Sequence, residues 1–173
     1  AFTVDNFQQE SRNGYRIIHL ATHASFEADE ANKSYVQFWQ KEQLNLLNFR
    51  RTLDLRELTP PLDLMVLSAC QTALGNREAE LGFAGFAFQS GVNSVLASLN
   101  SISDQGAVAV ITQFYQQLRE QPSTVEALRQ AQRSLINGEV YIENGELVWE
   151  GSQPGRIEMH GFTPSSERQY LDH

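Results

Sequence analysis

Three short apolar runs constrain this chain more than any other feature. They are Tyr15-Arg16-Ile17-Ile18-His19-Leu20-Ala21, Leu62-Asp63-Leu64-Met65-Val66-Leu67-Ser68 and Ser94-Val95-Leu96-Ala97-Ser98-Leu99. Each is short and nearly unbroken, the pattern of a strand covered on both faces in a parallel sheet. Turn signals precede them at Asn13-Gly14, Pro60-Pro61 and Gly91. Parallel strands require crossover connections, and helix-period segments accompany them. Leu81 to Ser90 carries Phe83, Phe86 and Ala87 at helical spacing, with Gly82 and Gly85 allowing close approach to a sheet. Gly91 is placed to end that helix. Asp104 can cap a helix reaching about Gln117, with Val108, Ile111, Phe114 and Tyr115 on its buried face. Ser123-x-x-Glu126 reads as a capping box opening a helix to Ile136. The expected class is α/β, a sandwich around a mainly parallel sheet.

The character changes after Asn137-Gly138. Val140-Tyr141-Ile142-Glu143 and Glu146-Leu147-Val148-Trp149 flank Asn144-Gly145, a strong hairpin signal. The stretch Ser34 to Phe49 is ambiguous, with Tyr35 to Trp39 fitting an edge strand, and Gly151 to His173 reads mostly as loop or tail. With 173 residues, the whole of 1–173 fits one domain. The chain opens with Ala1 rather than Met, so it is expected to be a piece of something longer.

Composition narrows the partners. Thirteen Lys and Arg against twenty-one Asp and Glu leave a formal charge of −8, which argues against a nucleic-acid backbone. No apolar run approaches the roughly 18–20 residues that span a bilayer, so no membrane partner is expected. A basic-then-apolar leader is also lacking. The single cysteine, Cys70, allows no internal disulfide and no structural zinc site of its own. A reducing, cytoplasmic setting follows.

Two reactive side chains sit just past strand ends, where α/β folds build their ligand crevices. His23 lies two residues beyond the first run and Cys70 two beyond the second. Neighbouring parallel strands are about 4.8 Å apart, so groups leaving their ends can meet across a long sequence separation. A thiol with its ordinary pKa of about 8.5 is mostly protonated at neutral pH, and an adjacent imidazole supplies the missing base. Either residue also has a plain structural reading, since free cysteines and strand-end histidines are commonly buried for packing.

The local sequence weighs between these readings. Ile17-Ile18-His19-Leu20-Ala21-Thr22-His23, together with Val66-Leu67-Ser68-Ala69-Cys70-Gln71-Thr72-Ala73-Leu74-Gly75, resembles the CHAT domain. The resemblance continues through Leu81-Gly82-Phe83-Ala84-Gly85-Phe86, Ala87 to Leu99, Ser101-Ile102-Ser103-Asp104 and Phe114-Tyr115, covering roughly Tyr15 to Ile136. CHAT domains are caspase-like modules often joined to tetratricopeptide repeats, and are more distantly similar to separase, metacaspases, gingipains and caspases. His23 precedes Cys70 by 47 residues, close to the roughly 50 seen in caspases.

The resemblance implies a caspase-like three-layer sandwich and a cysteine endopeptidase without a cofactor or metal. His23 would be the general acid/base and Cys70 the nucleophile, with the backbone N–H groups of Ala24 and Cys70 as the oxyanion hole. His19 is expected in the core; a zinc pair with His23 is discounted, because Leu20 stands where Glu is required and the segment reads as strand. Asp104 matches the carboxylate that holds Arg or Lys in basic-directed relatives, although capping its helix explains it equally well. Glu27, Asp29 and Glu30 either rim an acidic cleft or form a solvated loop. A protein or peptide substrate and a tetratricopeptide-repeat region, in cis or trans, are the implied partners.

Three departures from the family pattern matter. Ala24 stands where Gly is usual, Asn100 replaces a frequent Trp, and the chain stops at Leu171-Asp172-His173, where a closing strand would begin. The competing function is a catalytically silent caspase-like interaction module working with tetratricopeptide repeats. A small-ligand α/β domain fits less well, since neither a Gly-x-Gly-x-x-Gly loop nor a Gly-x-Ser-x-Gly elbow is present.

Overall fold

The computed structural model of the chain describes residues 1–25, 33–52, 55, 56, 58–68, 82–98, 102–151, 153–160 and 168–171. Two compact units divide it, Ala1–Ile102 and Ser103–His173. The first unit runs through α1 (Val4–Glu10), β1 (Ile17–Leu20), β2 (Ala24–Ser25), β3 (Tyr35–Gln37), β4 (Gln43–Asn45), α2 (Leu46–Thr52), β5 (Leu64–Leu67), α3 (Gly82–Gln89) and β6 (Ser94–Ala97). The second holds α4 (Asp104–Glu120), α5 (Thr124–Ile136), β7 (Val140–Glu143), β8 (Glu146–Trp149), β9 (Gly155–Glu158) and β10 (Gln169–Tyr170). The class is mixed α/β, as expected. No helix among the described residues is long and apolar enough to cross a membrane.

All three apolar runs become strands of one parallel sheet in the order β1-β5-β6. β5 lies between two neighbours and all four of its residues are buried, as an unbroken apolar run demands. β1 departs from that expectation: Leu20 is buried, but Ile17 and His19 stay exposed. At the entry end, Arg16 pairs with Asp63 at 2.6 Å and Asn93 donates to the same carboxylate at 3.3 Å. These exposed contacts help align the strands more than they stabilise them.

A second sheet, antiparallel in the order β2-β3-β4, was not legible beforehand. The ambiguous stretch fits an edge strand over Tyr35 to Trp39 by sequence; the strand ends at Gln37 and is the central one of three. Val36 pairs with Leu44 across it, and both are buried. Phe38 stacks on Phe2 at 4.5 Å between centroids and lies 5.6 Å from Phe7, which in turn stacks on Phe49 at 6.2 Å. This aromatic cluster brings together α1, α2 and the end of β3. Thr3 caps α1, its hydroxyl accepting from Asn6 N at 3.2 Å.

In the second unit α4 and α5 pack on each other. The buried stripe of α4 is Gly106, Ala109, Gln113 and Phe114, so the expected face through Val108 is displaced and Val108 is exposed. Small residues on that stripe and at Ala127 and Ala131 of α5 permit a close approach of the helices. The cap of α4 is Ser103, whose hydroxyl accepts from Gly106 N at 3.0 Å, and Asp104 is the first helical residue. Ser123 caps α5 as expected, accepting from Glu126 N at 3.3 Å, but the Glu126 carboxylate turns to Arg129 and Gln130. Replacing Ser103 by Ala should therefore lower the unfolding free energy by about 1 kcal/mol in urea titration. Asp104→Ala should change it little, because the lost helix-dipole contact is offset by the better helix propensity of alanine. The opposite order would return the cap to Asp104.

The hairpin turns at Asn144-Gly145, both with positive φ (54° and 79°), the requirement of its two-residue turn. Its sheet is wider than expected, β10-β7-β8-β9, so part of the anticipated C-terminal loop is strand. β9 gives no hydrophobic signal, its four residues being half-buried or exposed. It is recruited by pairing: Gly155 lies opposite Trp149, and a Cβ there would fall 2.3 Å from the indole. That face completes a core of Ala109, Leu135, Val140, Ile142, Leu147, Trp149 and Met159.

Candidate active site

His23 follows the carboxyl end of β1, and β5 is the parallel neighbour of β1. The register pairs Leu20 with Leu67, and one residue further Ser68 N donates to Leu20 O at 3.2 Å. In sequence, His23 and Cys70 each stand three residues beyond that last pair. Cys70 itself lies outside the described residues, as do Glu27, Asp29 and Glu30.

The segment bearing His23 is clamped from its flank. Gln37 N donates to His23 O at 2.8 Å, and the Thr22 hydroxyl donates to Gln37 O at 2.6 Å. Ala24 then pairs with Val36 and Ser25 with Tyr35. His23 presents an exposed side chain from this held backbone.

Ala24 is a buried strand residue and is not among the residues with positive φ. The strain that a side chain would suffer at a left-handed position does not arise. Antiparallel ladders alternate hydrogen-bonded and non-bonded pairs. Because Gln37 bonds to His23, the Ala24–Val36 pair is a non-bonded one, and the Ala24 N–H points away from β3.

His19 is not a core residue. It lies on the exposed face of β1, and its Nε2 is 2.6 Å from Ser68 Oγ. Surrounding protein still desolvates the ring, which holds its pKa below the ordinary 6.5 and keeps it neutral at pH 7. No motif in the sequence points to Ser68. Strand periodicity could have found it: His19 pairs with Val66, and Ser68 is the next residue on the same face. A cavity of about 500 Å³ runs along α1 and β1, with Phe2, Phe7, Ile18 and His19 in its wall. Asp104 belongs to the second unit, where its side chain is exposed at the start of α4.

A comparison with curated proteins returns no match. The comparison with protein families does: the CHAT domain matches residues 1–154 of the 173. With the match spanning the parallel sheet, both helices of the second unit and the hairpin, the chain belongs to the CHAT domain family, within the caspase-like cysteine peptidase superfamily.

Proposed function

We propose that this domain is a cysteine endopeptidase that cuts a protein partner after Arg or Lys. The observation that supports the reading is the parallel pairing of Leu20 with Leu67, since in sequence His23 and Cys70 each follow that pair by three residues. Adjacent parallel strands are about 4.8 Å apart, within reach of a side-chain dyad. Cys70 Sγ attacks the scissile carbonyl carbon while His23 takes the thiol proton. The imidazolium then protonates the leaving amine, a thioester remains on Cys70, and water activated by His23 releases the acid. The Ala24 N–H, turned away from β3, and the Cys70 N–H hold the developing oxyanion. Asp104 is assigned to the basic side chain of the substrate, a carboxylate that a planar guanidinium would engage bidentately.

The reading takes residues 1–173 as a single domain in a cytoplasmic setting, served by a tetratricopeptide-repeat region in cis or trans. Family membership and a lone cysteine support it. The test is hydrolysis of fluorogenic peptides ending in Arg, Lys or Asp, by this chain and by a longer one that includes its natural flanks. Arg and Lys peptides should be cut and Asp peptides spared, with Asp104→Ala losing selectivity rather than stability. An absence of turnover in both chains across varied peptides would favour the silent interaction module.

A further inference from the structure

β3 is the fixed element beside the proposed acid/base. It is the central strand of its sheet, and the residues on either side of Gln37, Val36 and Phe38, are both buried. Successive backbone groups of a strand point to opposite neighbours, and here Phe38 N donates to Glu42 O at 2.6 Å while Gln37 N donates the other way, to His23 O at 2.8 Å. The position of Gln37 is therefore set by core packing on both sides of it, and His23 is bonded to that position.

The register makes His23 the residue opposite Gln37, one step before the Ala24–Val36 pair. Two residues so placed in an antiparallel ladder exchange two bonds, N–H to O in each direction. Only one of them is made by the backbone. Among the bonds of the described residues, none runs back from His23 N–H to Gln37 O. That acceptor is taken instead by the Thr22 hydroxyl, which donates to Gln37 O at 2.6 Å. A side chain thus stands in for the amide of the next residue, and β2 begins only at Ala24.

This exchange bears on where the imidazole points. The two bonds to Gln37 bracket the His23 Cα, one through the side chain of the residue before it and one through its own carbonyl. One bond would let the chain swivel about it; two fix the direction in which Cβ leaves. The His23 side chain is exposed, so backbone anchorage does what packing does not. Threonine suits the task, because branching at Cβ restricts its χ1 and keeps the hydroxyl in place. We infer that Thr22 is a positioning residue, whose hydroxyl bond to Gln37 O aims the His23 imidazole. The inference rests on the reading of His23 as the acid/base, through which alone Thr22 acts.

Thr22→Val keeps the shape and removes the donor, while Thr22→Ser keeps the donor. With an Arg-terminated fluorogenic peptide, Thr22→Val should lower kcat about 10- to 10²-fold and leave KM within about twofold, since it moves the acid/base and no substrate contact. Thr22→Ser should restore most of the turnover. Melting temperatures should differ little, because valine favours strands and the half-buried Gln37 carbonyl can accept from water. A purely structural threonine would show the reverse, a lower melting temperature with kcat kept. Three-bond NMR couplings about the His23 Cα–Cβ bond give a measure that needs no turnover. One dominant rotamer is expected in the unaltered chain and in Thr22→Ser, and averaging over rotamers in Thr22→Val. In an active chain, full turnover by Thr22→Val, or equal losses in the valine and serine variants, would overturn the inference. If the unaltered chain cleaves nothing, the peptidase reading fails on its own and the couplings decide. A coupling in Thr22→Val equal to that of the unaltered chain then overturns the positioning role, and a change confined to valine sustains it.

Discussion

Chain carrying Cys70→Ala is expected to hydrolyse an Arg-terminated fluorogenic peptide at least about 10³-fold more slowly than the unaltered protein. Alanine has no nucleophile to form the thioester, so only background hydrolysis aided by binding remains. His23→Ala should cost about 10²–10⁴-fold, the usual worth of a positioned acid/base. The double variant should be scarcely slower than Cys70→Ala alone, because two groups acting in one step do not contribute separately. His19→Gln is the informative contrast. Its ring is neutral at pH 7 and engaged with Ser68, so the substitution should leave most of the turnover. Turnover lost with His19→Gln and kept with His23→Ala would exchange the two roles.

Phe49→Ala should be the most damaging substitution of the first unit, lowering its unfolding free energy by about 3–5 kcal/mol. Phe49 is fully buried on α2 and stacks on Phe7, which links it through Phe38 to Phe2. Removing the ring forfeits its transfer from water and leaves a cavity among neighbours already packed on one another. A loss of that size is a large part of the about 5–15 kcal/mol that holds an ordinary domain together. Urea titration followed by far-ultraviolet circular dichroism would report it. Phe49→Leu should lose much less, since most of the volume is kept. If alanine cost under about 1 kcal/mol, the aromatic cluster would not be the core of this unit.

Legibility differed sharply from element to element. β5 was readable because Leu64-Met65-Val66-Leu67 offers no polar face, and a strand of that kind must be covered on both sides. The hairpin was readable because Asn144-Gly145 accepts the positive φ its turn needs. β2, β3 and β4 were not, being two or three residues long with Gln37, Gln43 and Asn45 among them. Too few side chains are present there for a period of two to show. β9 carried no signal either, since backbone pairing with β8 and the fit of Gly155 beneath Trp149 create it.

The candidate site divides the same way. The order and spacing of His23 and Cys70 could be read directly, because the chemistry depends on residue type and the two motifs are local. The Ser68 partner of His19, the clamp of Gln37 on His23 and the outward turn of the Ala24 N–H depend on which strands lie side by side. Nor does local pattern reveal a buried glutamine without a partner: Gln113 looks like any polar helical residue until α5 and the hairpin close around it.

Taken alone, the amino-acid order determined the α/β class, the three parallel strands and the hairpin. Each of these rests on interactions within a few residues or on a continuous apolar run. Tertiary structure alone decided the antiparallel sheet β2-β3-β4, the exposure of His19, the cap at Ser103 and the burial of Gln113. Those depend on neighbours far apart in the chain, whose hydrogen bonds and burial exist only once the packing is made.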